Sequence, residues 1–447
     1  MPLTPSSLRR ALCVALSLAG LSASALAQQT GATAPGARSP GLAALPIDTA
    51  QRGQGLAVAI GGGLKADPDT VWQRLVALSG GAGARWVVLG TASESPIASA
   101  EGAAKQLQRR GAVATVLPVS PLLSDRPVAE VVRDEALIQQ VRSATGVFFT
   151  GGSQDRITAS LQPGGVPSPL LQAIWQLYRA GGVVAGTSAG AAIMSSTMFR
   201  DAPSVLGVMK GQLREGAEVD QGLGFMGPAL FVDQHFLKRG RLGRLLPLMV
   251  AKGYTLGVGV EEDSAVLMRR QAGGGGDELE VLGGKAVLVD LKDAAPTQAA
   301  TGAFGLTGAR LSLLDRGDRI SLPQRQLTPA EFKAKGQRLD PAAPGYKPYY
   351  ELAPFYVDFL GDGTLATAMG LLIDAKYSEI KGLAFDPRPA AGDAQAALGF
   401  EFRLYRGPGS HGWYSDAFGG EDYTVQDLRL DVAPIRMAQP MYTPWTR

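Results

Sequence analysis

A serine between two glycines is the first candidate for chemistry in this chain. Residues 186–190 read G-T-S-A-G and fit the pattern G-x-S-x-G, with Ser188 at the centre. A buried apolar segment, 182–185, precedes the pattern, and a helical segment, 191–194, follows it. A sharp strand-to-helix turn exposes the serine hydroxyl, and the flanking glycines avoid a clash at the strained corner. The pattern therefore indicates a nucleophilic serine, with the Ala189 amide placed to stabilise an oxyanion.

The choice of a base for this serine is narrow because the chain contains only two histidines. His235 lies where an apolar segment, 231–234, passes into a basic helix, whereas His411 lies in a loop with Pro and Gly. A nucleophilic serine needs an adjacent base, so His235 is the expected one. The alternative is that His235 is a structural residue at a strand end.

A glycine pair offers a second oxyanion donor. Gly151 and Gly152 follow the predicted strand 147–149 and precede Gln154. Glycine permits close approach to the backbone, so the Gly152 amide is the expected second donor of an oxyanion hole. The alternative is an ordinary tight turn between a strand and a helix.

Composition excludes several other kinds of site. The chain has 447 residues, a single Cys and a net charge of +3. One cysteine rules out a disulfide framework and a Cys-rich zinc or iron–sulfur site, and two histidines leave little room for a His-built metal centre. Apart from one short arginine cluster, the basic stripe typical of a nucleic-acid partner is absent from the sequence. We therefore expect no nucleic-acid partner.

The first 27 residues have the three parts of a secretory signal peptide. Arg9 and Arg10 supply the positive charge, 11–21 is a short apolar run, and A-L-A at 25–27 is a small-residue cleavage site. The apolar run is too short to span a bilayer, and no later segment reaches the roughly 18 uninterrupted apolar residues of a membrane helix. We expect a secreted protein, extracellular or periplasmic, cleaved near Ala27 and without a membrane partner.

The elements that must position these residues follow an α/β pattern. Short apolar runs alternate with amphipathic stretches, which predicts a doubly wound parallel sheet with flanking helices in three α/β/α layers, and a nucleophile elbow at Ser188. The predicted strands in this part of the chain are 56–60, 86–89, 113–117, 147–149 and 182–185.

The pattern changes in the second half of the chain. Leader residues 28–52 are predicted to be flexible, and 53–298 to form the catalytic α/β domain. Residues 299–447 are predicted to form a smaller β-rich accessory region, with a linker at 323–350 that is rich in Pro, Lys and Arg.

Four ordered segments resemble the cyanophycinases, the serine peptidase family that also includes α-aspartyl dipeptidase (peptidase E). The resemblance covers about residues 55–295. Ser153 stands where the family usually has an acidic residue, and the C-terminal region looks like that of the secreted cyanophycinases. The segments are F-F-T-G-G-S-Q at 148–154, A-G-T-S-A-G-A at 185–191, D-Q-H-F at 233–236 with the arginines that follow, and G-V-G-V-E-E-D-S-A at 257–265.

The resemblance implies roles for individual residues. Ser188 would be the nucleophile and His235 the general base. Two acids compete for orienting the imidazole: Asp201, which matches the family's acid-x-Pro element, and Glu262, which follows a strand end in the fourth segment. We favour Asp201, because an acid-x-Pro turn can hold a carboxylate beside an imidazole.

The resemblance also implies the substrate. Cyanophycin has a poly-aspartate backbone with an arginine on each β-carboxyl, and its cleavage releases β-Asp-Arg. Guanidinium forks bind carboxylates, so the arginines after His235 are expected to bind free carboxylates of the substrate, although a solvated helix face is the alternative. Glu262, Asp263 or Asp233 would bind the substrate guanidinium. The expected substrate-binding residues are Gln154, Asp233, Gln234, Arg239, Arg241, Arg244 and Glu262.

The expected function is that of a secreted serine exopeptidase that hydrolyses cyanophycin through an acyl-enzyme on Ser188, and the resemblance implies no metal or cofactor. One alternative is a secreted aspartyl dipeptidase or isopeptidase of the same family that acts on small peptides. Another is a non-catalytic relative that binds the polymer. A glutamine amidotransferase is excluded because no Cys stands at the elbow. The sequence is compatible with a homodimer.

Overall fold

The computed structural model describes residues 55–66, 70–201, 203–270, 276–297, 302–438 and 440–445. The predicted signal peptide, 1–27, and leader, 28–52, lie outside the described residues. The described residues form one compact unit.

Most of the described chain is organised as strands and helices, numbered here in chain order. The strands are β1 (Leu56–Ile60), β2 (Arg85–Leu89), β3 (Val113–Leu117), β4 (Gly146–Phe149), β5 (Val183–Thr187), β6 (Thr197–Phe199), β7 (Val219–Gln221), β8 (Leu230–Gln234), β9 (Leu256–Val260), β10 (Ala265–Arg270), β11 (Asp277–Leu282), β12 (Ala286–Asp290), β13 (Ala295–Pro296), β14 (Leu306–Leu314), β15 (Arg319–Ser321), β16 (Gln326–Thr328), β17 (Gln337–Leu339), β18 (Phe355–Tyr356), β19 (Glu379–Ala384), β20 (Leu398–Ser415) and β21 (Asp422–Arg436). The helices are α1 (Thr70–Leu78), α2 (Pro96–Gln108), α3 (Val128–Val131), α4 (Glu135–Ser143), α5 (Gln154–Leu161), α6 (Pro169–Arg179), α7 (Ala189–Ala192), α8 (Val205–Met209), α9 (Leu242–Lys252), α10 (Glu331–Ala334) and α11 (Thr364–Ile373).

The first sheet confirms the predicted three-layer α/β architecture. Its nine strands run in the order β16-β15-β11-β10-β1-β5-β4-β2-β3, and the five from β1 to β3 are parallel. Side chains of β1 alternate between two cores: Ala57 and Ala59 face the core that contains residues of α4 and α6, whereas Val58 and Ile60 face the core that contains residues of α1 and α2. This period of two, with both faces buried, is expected of a central parallel strand.

The second sheet extends from the site into the C-terminal part of the chain. Its main path is β18-β19-β20-β21-β14-β12-β9-β8, with β13 paired to β14 and β17 to β20. The parallel pair β8 and β9 is at one end of this path, and the long antiparallel hairpin of β20 and β21 pairs with β14. Residues after 299 are β-rich, as predicted.

Strands from both sides of residue 298 pair with each other. β12 lies before that position and pairs antiparallel with β14 after it, while β15 and β16 complete the first sheet. Residues 323–350, expected to be a linker, contain β16, α10 and β17. The change of pattern in the sequence therefore marks a change from parallel to antiparallel pairing, and the chain on both sides shares two cores.

The two sheets meet where β9 of the second sheet turns directly into β10 of the first. This turn consists of residues 261–264. β8 ends beside the same turn, because the Phe236 amide donates to the Val260 carbonyl (3.2 Å). The carboxyl ends of β1, β5 and β8 consequently come together, and the candidate catalytic residues lie there.

Candidate active site

Ser188 lies at the turn from β5 into α7, in a backbone conformation that non-glycine residues rarely adopt. Its φ is +54°, and its amide donates to the Ile60 carbonyl at the end of β1 (3.0 Å). The flanking glycines are needed for space. A Cβ on Gly186 would lie 2.2 Å from the Gly190 carbonyl oxygen, and a Cβ on Gly190 would lie 2.5 Å from that of Phe149. The turn thus exposes the Ser188 hydroxyl while its backbone packs tightly.

His235 follows β8 and faces Ser188. The structure places its Nε2 2.8 Å from Ser188 Oγ, and its amide donates to the Gly61 carbonyl (2.7 Å). Its Nδ1 lies 2.5 Å from Glu262 Oε1. When Nδ1–H donates to the carboxylate, Nε2 is free to accept the serine proton, which is the tautomer a general base requires.

The carboxylate on the imidazole is that of Glu262, which corrects the preference for Asp201. Asp201 is exposed and follows β6, and its backbone carbonyl accepts from Gln154 Nε2 (3.1 Å). Glu262 lies in the turn after β9, which is held to the end of β1 because the Asp263 amide donates to the Gly62 carbonyl (2.8 Å). The pairing of β9 beside β8 therefore selects Glu262, and Oε1 of this carboxylate is engaged on His235 rather than free for a substrate guanidinium.

Burial and neighbouring charges set the protonation of His235. Burial lowers the pKa of the imidazole, the hydrogen bond to Glu262 opposes that shift, and the charges of Arg239 and Arg241 lower the pKa further. The net direction is downward. The imidazole therefore stays neutral to a lower pH than a solvent-exposed histidine, as a base that must accept a proton requires.

Two residues beside the triad have roles that the sequence analysis did not identify. A Cβ on Gly62 would lie 2.3 Å from His235 Nε2, so the imidazole occupies space that only a glycine leaves open. Glu261 Oε2 accepts the amides of Leu237 (2.5 Å) and Lys238 (2.9 Å), which fixes the chain after His235. The run of three glycines at 61–63, directly after a buried strand, was the available signal.

Ser188 opens into a cleft of about 730 Å³. Gly151 and Gly152 line it beside Ser188, and Ala189 follows Ser188 as the first residue of α7. Gly152 has a φ of +140°, and a Cβ there would lie 2.0 Å from the Ala92 carbonyl oxygen. Both residues proposed for the oxyanion hole thus lie beside the nucleophile, Gly152 after β4 and Ala189 after β5.

No role was predicted from the sequence for the rest of the cleft wall, although Phe148 and Thr150 belong to the segment 148–154 described above. Trp72 and Phe148 line it with their rings stacked 5.2 Å apart, and Thr150 lies above them. Thr150 is 4% exposed, and its hydroxyl has no hydrogen-bond partner among the residues that the structure describes. Residues of α2, most of them small, complete the wall, and helical spacing was the available signal for them: Ala98, Ser99, Gly102, Ala103 and Gln106.

Of the three arginines after His235, the structure places Arg239 at the cleft and the other two in the interior. Arg239 is exposed and lines the cleft with His235. Arg244 is 1% exposed, and its Nε and one terminal nitrogen lie 2.8 Å and 2.5 Å from the two carboxylate oxygens of Asp233. Its guanidinium also stacks over Phe199 (4.3 Å to the ring centroid). Asp233 and Arg244 thus neutralise each other inside the fold.

Arg241 forms the second part of this buried network. It donates to the Gln234 carbonyl (2.7 Å) and to Gln234 Oε1 (2.5 Å), and burial lowers the pKa of its guanidinium to about 10. Asp233, Gln234, Arg241 and Arg244, expected to bind substrate, are therefore engaged with one another. The reason is that α9 enters the core, so that its N-terminal cations meet β8 instead of solvent.

Gln154 supports the chain around Asp201 rather than the cleft. Its side chain is 5% exposed, and Nε2 donates to the carbonyl oxygens of Phe199 (2.8 Å) and Asp201 (3.1 Å). Gln154 was expected to contact substrate, but its side chain instead holds the backbone of Phe199 and Asp201.

The described residues contain neither a metal-binding cluster nor a membrane-spanning helix. Within them, no group of three or more His, Cys, Asp or Glu side chains is arranged to hold a metal ion. No helix in the described ranges has the length and apolar character needed to cross a bilayer.

Comparison with known proteins gives matches to one peptidase family. Residues 57–273 match the model of peptidase family S51. A cyanophycinase from Trichormus variabilis (strain ATCC 29413 / PCC 7937) is 35% identical over 210 residues, which are 44% of this chain and 65% of that protein. A cyanophycinase from Geminocystis herdmanii (strain PCC 6308) is 33% identical over 201 residues, 43% of this chain and 68% of that protein. The chain thus spans about two thirds of the length of these relatives.

A solved structure, that of a peptidase from an acI-B1 Actinobacterium, matches at 20% identity with a TM-score of 0.43. The match covers 61% of this chain and 98% of that one.

Replacing Arg244 with Met should lower the free energy of unfolding by about 3 kcal/mol, because it removes both close hydrogen bonds to the buried Asp233 carboxylate and leaves only Arg241, 3.6 Å away, as its cation. The matched change Arg239→Met, at an exposed position, should alter it by less than about 0.5 kcal/mol. Urea unfolding of both variants measures the difference. Equal stability of the two variants would contradict the buried ion pair, and Asp233→Asn in the Arg244→Met background should recover part of the loss.

Proposed function

Because the chain belongs to peptidase family S51, we propose that it is a secreted serine exopeptidase that hydrolyses cyanophycin, multi-L-arginyl-poly-L-aspartate, to β-Asp-Arg dipeptides. The observation that carries the proposal is the hydrogen-bonded series Ser188–His235–Glu262 at an open cleft. The relatives named cyanophycinase support the substrate, and the pattern of residues 1–27 supports secretion.

The geometry supports acyl transfer in two steps. His235 Nε2 takes the proton from Ser188 Oγ as the oxygen attacks the backbone carbonyl carbon of the polymer. The amides of Gly152 and Ala189 stabilise the oxyanion, and the imidazolium then gives its proton to the leaving amine. Water, deprotonated by His235, hydrolyses the acyl-enzyme and frees Ser188. The Glu262 carboxylate, which contacts Nδ1 of His235, stabilises the imidazolium.

Fewer residues are available to bind the charged groups of the substrate than the three arginines after His235 led us to expect. Arg239 is the member of that cluster that lines the cleft, so we assign it to a substrate carboxylate. The Thr150 hydroxyl, which is buried in the cleft wall, is available to donate to a substrate oxygen. The small side chains of α2 leave the cleft open along one side, which suits an extended chain.

A second candidate is a peptidase of the same family that acts on small β-aspartyl peptides. The observation that favours it is the single arginine at the cleft, because a short substrate with one free carboxylate needs no more. The polymer is preferred here because of the relatives' names and the openness of the cleft.

The central experiment incubates the purified full chain with insoluble cyanophycin and with a soluble β-aspartyl dipeptide, and follows products by mass spectrometry. We expect β-Asp-Arg from the polymer. Ser188→Ala should reduce its release at least about 10³-fold, since the nucleophile is lost. His411→Gln is the matched control and should retain activity, because His411 is a half-buried residue of β20, not the loop residue expected from the sequence, and its Nδ1 contacts the Gly409 carbonyl.

Failure of the wild type to release the dipeptide, or equal release by Ser188→Ala, would refute the proposed reaction. Hydrolysis of the small peptide alone would instead select the second candidate.

The two candidate acids should differ sharply in their effect on catalysis. Glu262→Gln should lower kcat by roughly 10³–10⁴-fold, because the amide no longer holds the imidazole as the required tautomer or stabilises its charge. Asp201→Asn should change kcat less than about twofold, because Asp201 contacts Gln154 through its backbone. Steady-state kinetics on a soluble β-Asp-Arg oligomer measure both. A larger loss for Asp201→Asn would reverse the assignment.

The pH profile of kcat/KM should report the lowered pKa of His235. Protonation removes the base, so activity is lost as the pH falls through the imidazole pKa. Because burial lowers that pKa, the acid limb should lie below the ordinary histidine value of about 6.5. Arg239→Met removes one of the two positive charges that lower the pKa of His235, and should therefore move the acid limb to higher pH. An acid limb above the ordinary value would contradict the burial of the base.

A further inference from the structure

A second cavity lies in the C-terminal part of the chain and shares no lining residue with the Ser188 cleft. Its volume is about 300 Å³. We call it the tyrosine cavity, because four tyrosines and two carboxylates dominate its lining: Tyr349, Tyr350, Tyr414, Tyr423, Asp374 and Glu421.

Asp374 brings a negative charge into this cavity without a cation to balance it. It follows α11 and is 6% exposed. Its Oδ1 accepts the Tyr349 amide (3.2 Å), and its backbone carbonyl accepts the Tyr349 and Tyr350 amides (2.9 Å and 3.0 Å). Burial raises the pKa of its carboxyl group. A buried carboxylate held only by neutral donors is costly, and a bound cation would offset that cost.

Glu421 adds a second carboxylate at the edge of the cavity. The Tyr350 hydroxyl donates to its two oxygens, at 3.4 Å and 3.2 Å, and thereby orients the group. Within the described part of the chain, neither Glu421 nor Asp374 forms an ion pair with a lysine or arginine. Lys347 also lines the cavity, but it is exposed and free to extend into solvent.

The tyrosine rings present both faces and edges around these carboxylates. Tyr349 and Tyr350 pack edge to face, with centroids 4.9 Å apart and an interplanar angle of 82°. Tyr414 and Tyr423 are tilted at 52°, with centroids 5.2 Å apart. Aromatic faces attract cations, and a guanidinium group both stacks on such faces and bonds carboxylates through a planar fork.

We propose that the tyrosine cavity binds a guanidinium group, and that this group is an arginine side chain of the polymer substrate. The identity of the polymer rests on the proposed function, whereas the preference for a planar cation rests on the cavity alone. Cyanophycin would present an arginine at every backbone residue, so even a weak site would raise the effective concentration of substrate near the enzyme. The cavity would thus hold insoluble polymer while Ser188 cleaves another part of it.

The binding test uses two probes of nearly equal shape and different charge. Nα-acetyl-L-argininamide carries a guanidinium, and Nα-acetyl-L-citrullinamide carries the neutral urea in its place. Titration calorimetry with the full-length Ser188→Ala chain should show the arginine probe binding at least tenfold more tightly than the citrulline probe. No binding of the arginine probe, or equal affinities, would overturn the cation preference and point to a neutral ligand such as a sugar.

The matched variants locate that binding. Asp374→Asn with Glu421→Gln keeps the hydrogen-bond acceptors and removes both charges, so affinity for the arginine probe should fall at least tenfold. Glu331→Gln removes an exposed acid paired with Lys335 in the same region and should change nothing. Melting temperatures establish that each variant is folded, and Glu421→Gln alone serves if Asp374→Asn is not. Unchanged affinity in a folded cavity variant would place the arginine probe elsewhere and refute the site.

Cleavage assays separate the cavity from the proposed function. In the chain with Ser188 intact, the cavity variant should release β-Asp-Arg from insoluble cyanophycin at least about fivefold more slowly, with unchanged kcat on a soluble β-Asp-Arg oligomer. Equal rates on the insoluble polymer would refute polymer docking. If the wild type cleaves neither substrate, the proposed function fails, and the calorimetry still decides whether the cavity binds a guanidinium.

Discussion

The whole site depends on the space left open at the end of β1, where Gly62 has no side chain. A Cβ there would lie 2.2 Å from His235 Cε1 and 2.3 Å from Nε2, so any other residue would displace the base. The backbone of the same three residues, 60–62, also accepts the amides of Ser188 (3.0 Å), His235 (2.7 Å) and Asp263 (2.8 Å). One short stretch of backbone therefore sets the positions of the nucleophile, the base and the turn that carries the acid.

These anchors matter because the residues they hold are strained. Ser188, His235 and Asp263 have φ values of +54°, +47° and +55°, in the left-handed region that non-glycine residues avoid. Each such residue costs on the order of 1–3 kcal/mol and persists only when its surroundings determine its conformation. The hydrogen bonds to residues 60–62 provide that determination, and the central position of β1, with Ala57–Ile60 buried, keeps their acceptors rigid. Strain at the triad is thus supported by the central strand of the first sheet.

The second sheet ties this arrangement to the C-terminal part of the chain. β8 carries the base, β9 leads to the acid, and β12 joins both to β14 and the long hairpin that follows. Asp233 and Arg244 neutralise each other in the interior. Arg241 and Arg244 therefore hold β8 against α9 instead of binding substrate. In the structure, the region after residue 299 is continuous with the sheet that holds two of the three triad residues, and its tyrosine cavity belongs to the same compact unit.

What the sequence could and could not predict follows from the range of the interactions involved. Ser188 and the parallel sheet are local: a glycine-flanked serine between a strand and a helix determines its own turn, and alternating apolar runs reveal buried strands. His235 could be identified as the base because the chain has only one other histidine.

The choice between Glu262 and Asp201 could not be made from local sequence. It depends on β9 lying parallel to β8, and on the chain then turning into β10, which pairs antiparallel with β1. Helical periodicity likewise shows that Arg241 and Arg244 share a face, but the partner of that face, Asp233 on β8, is determined only when the helix packs. The sequence alone therefore does not show whether arginines that follow a catalytic histidine bind substrate or pair with an acid inside the fold. In this protein β8, the strand before His235, carries Asp233, and its carboxylate binds Arg244.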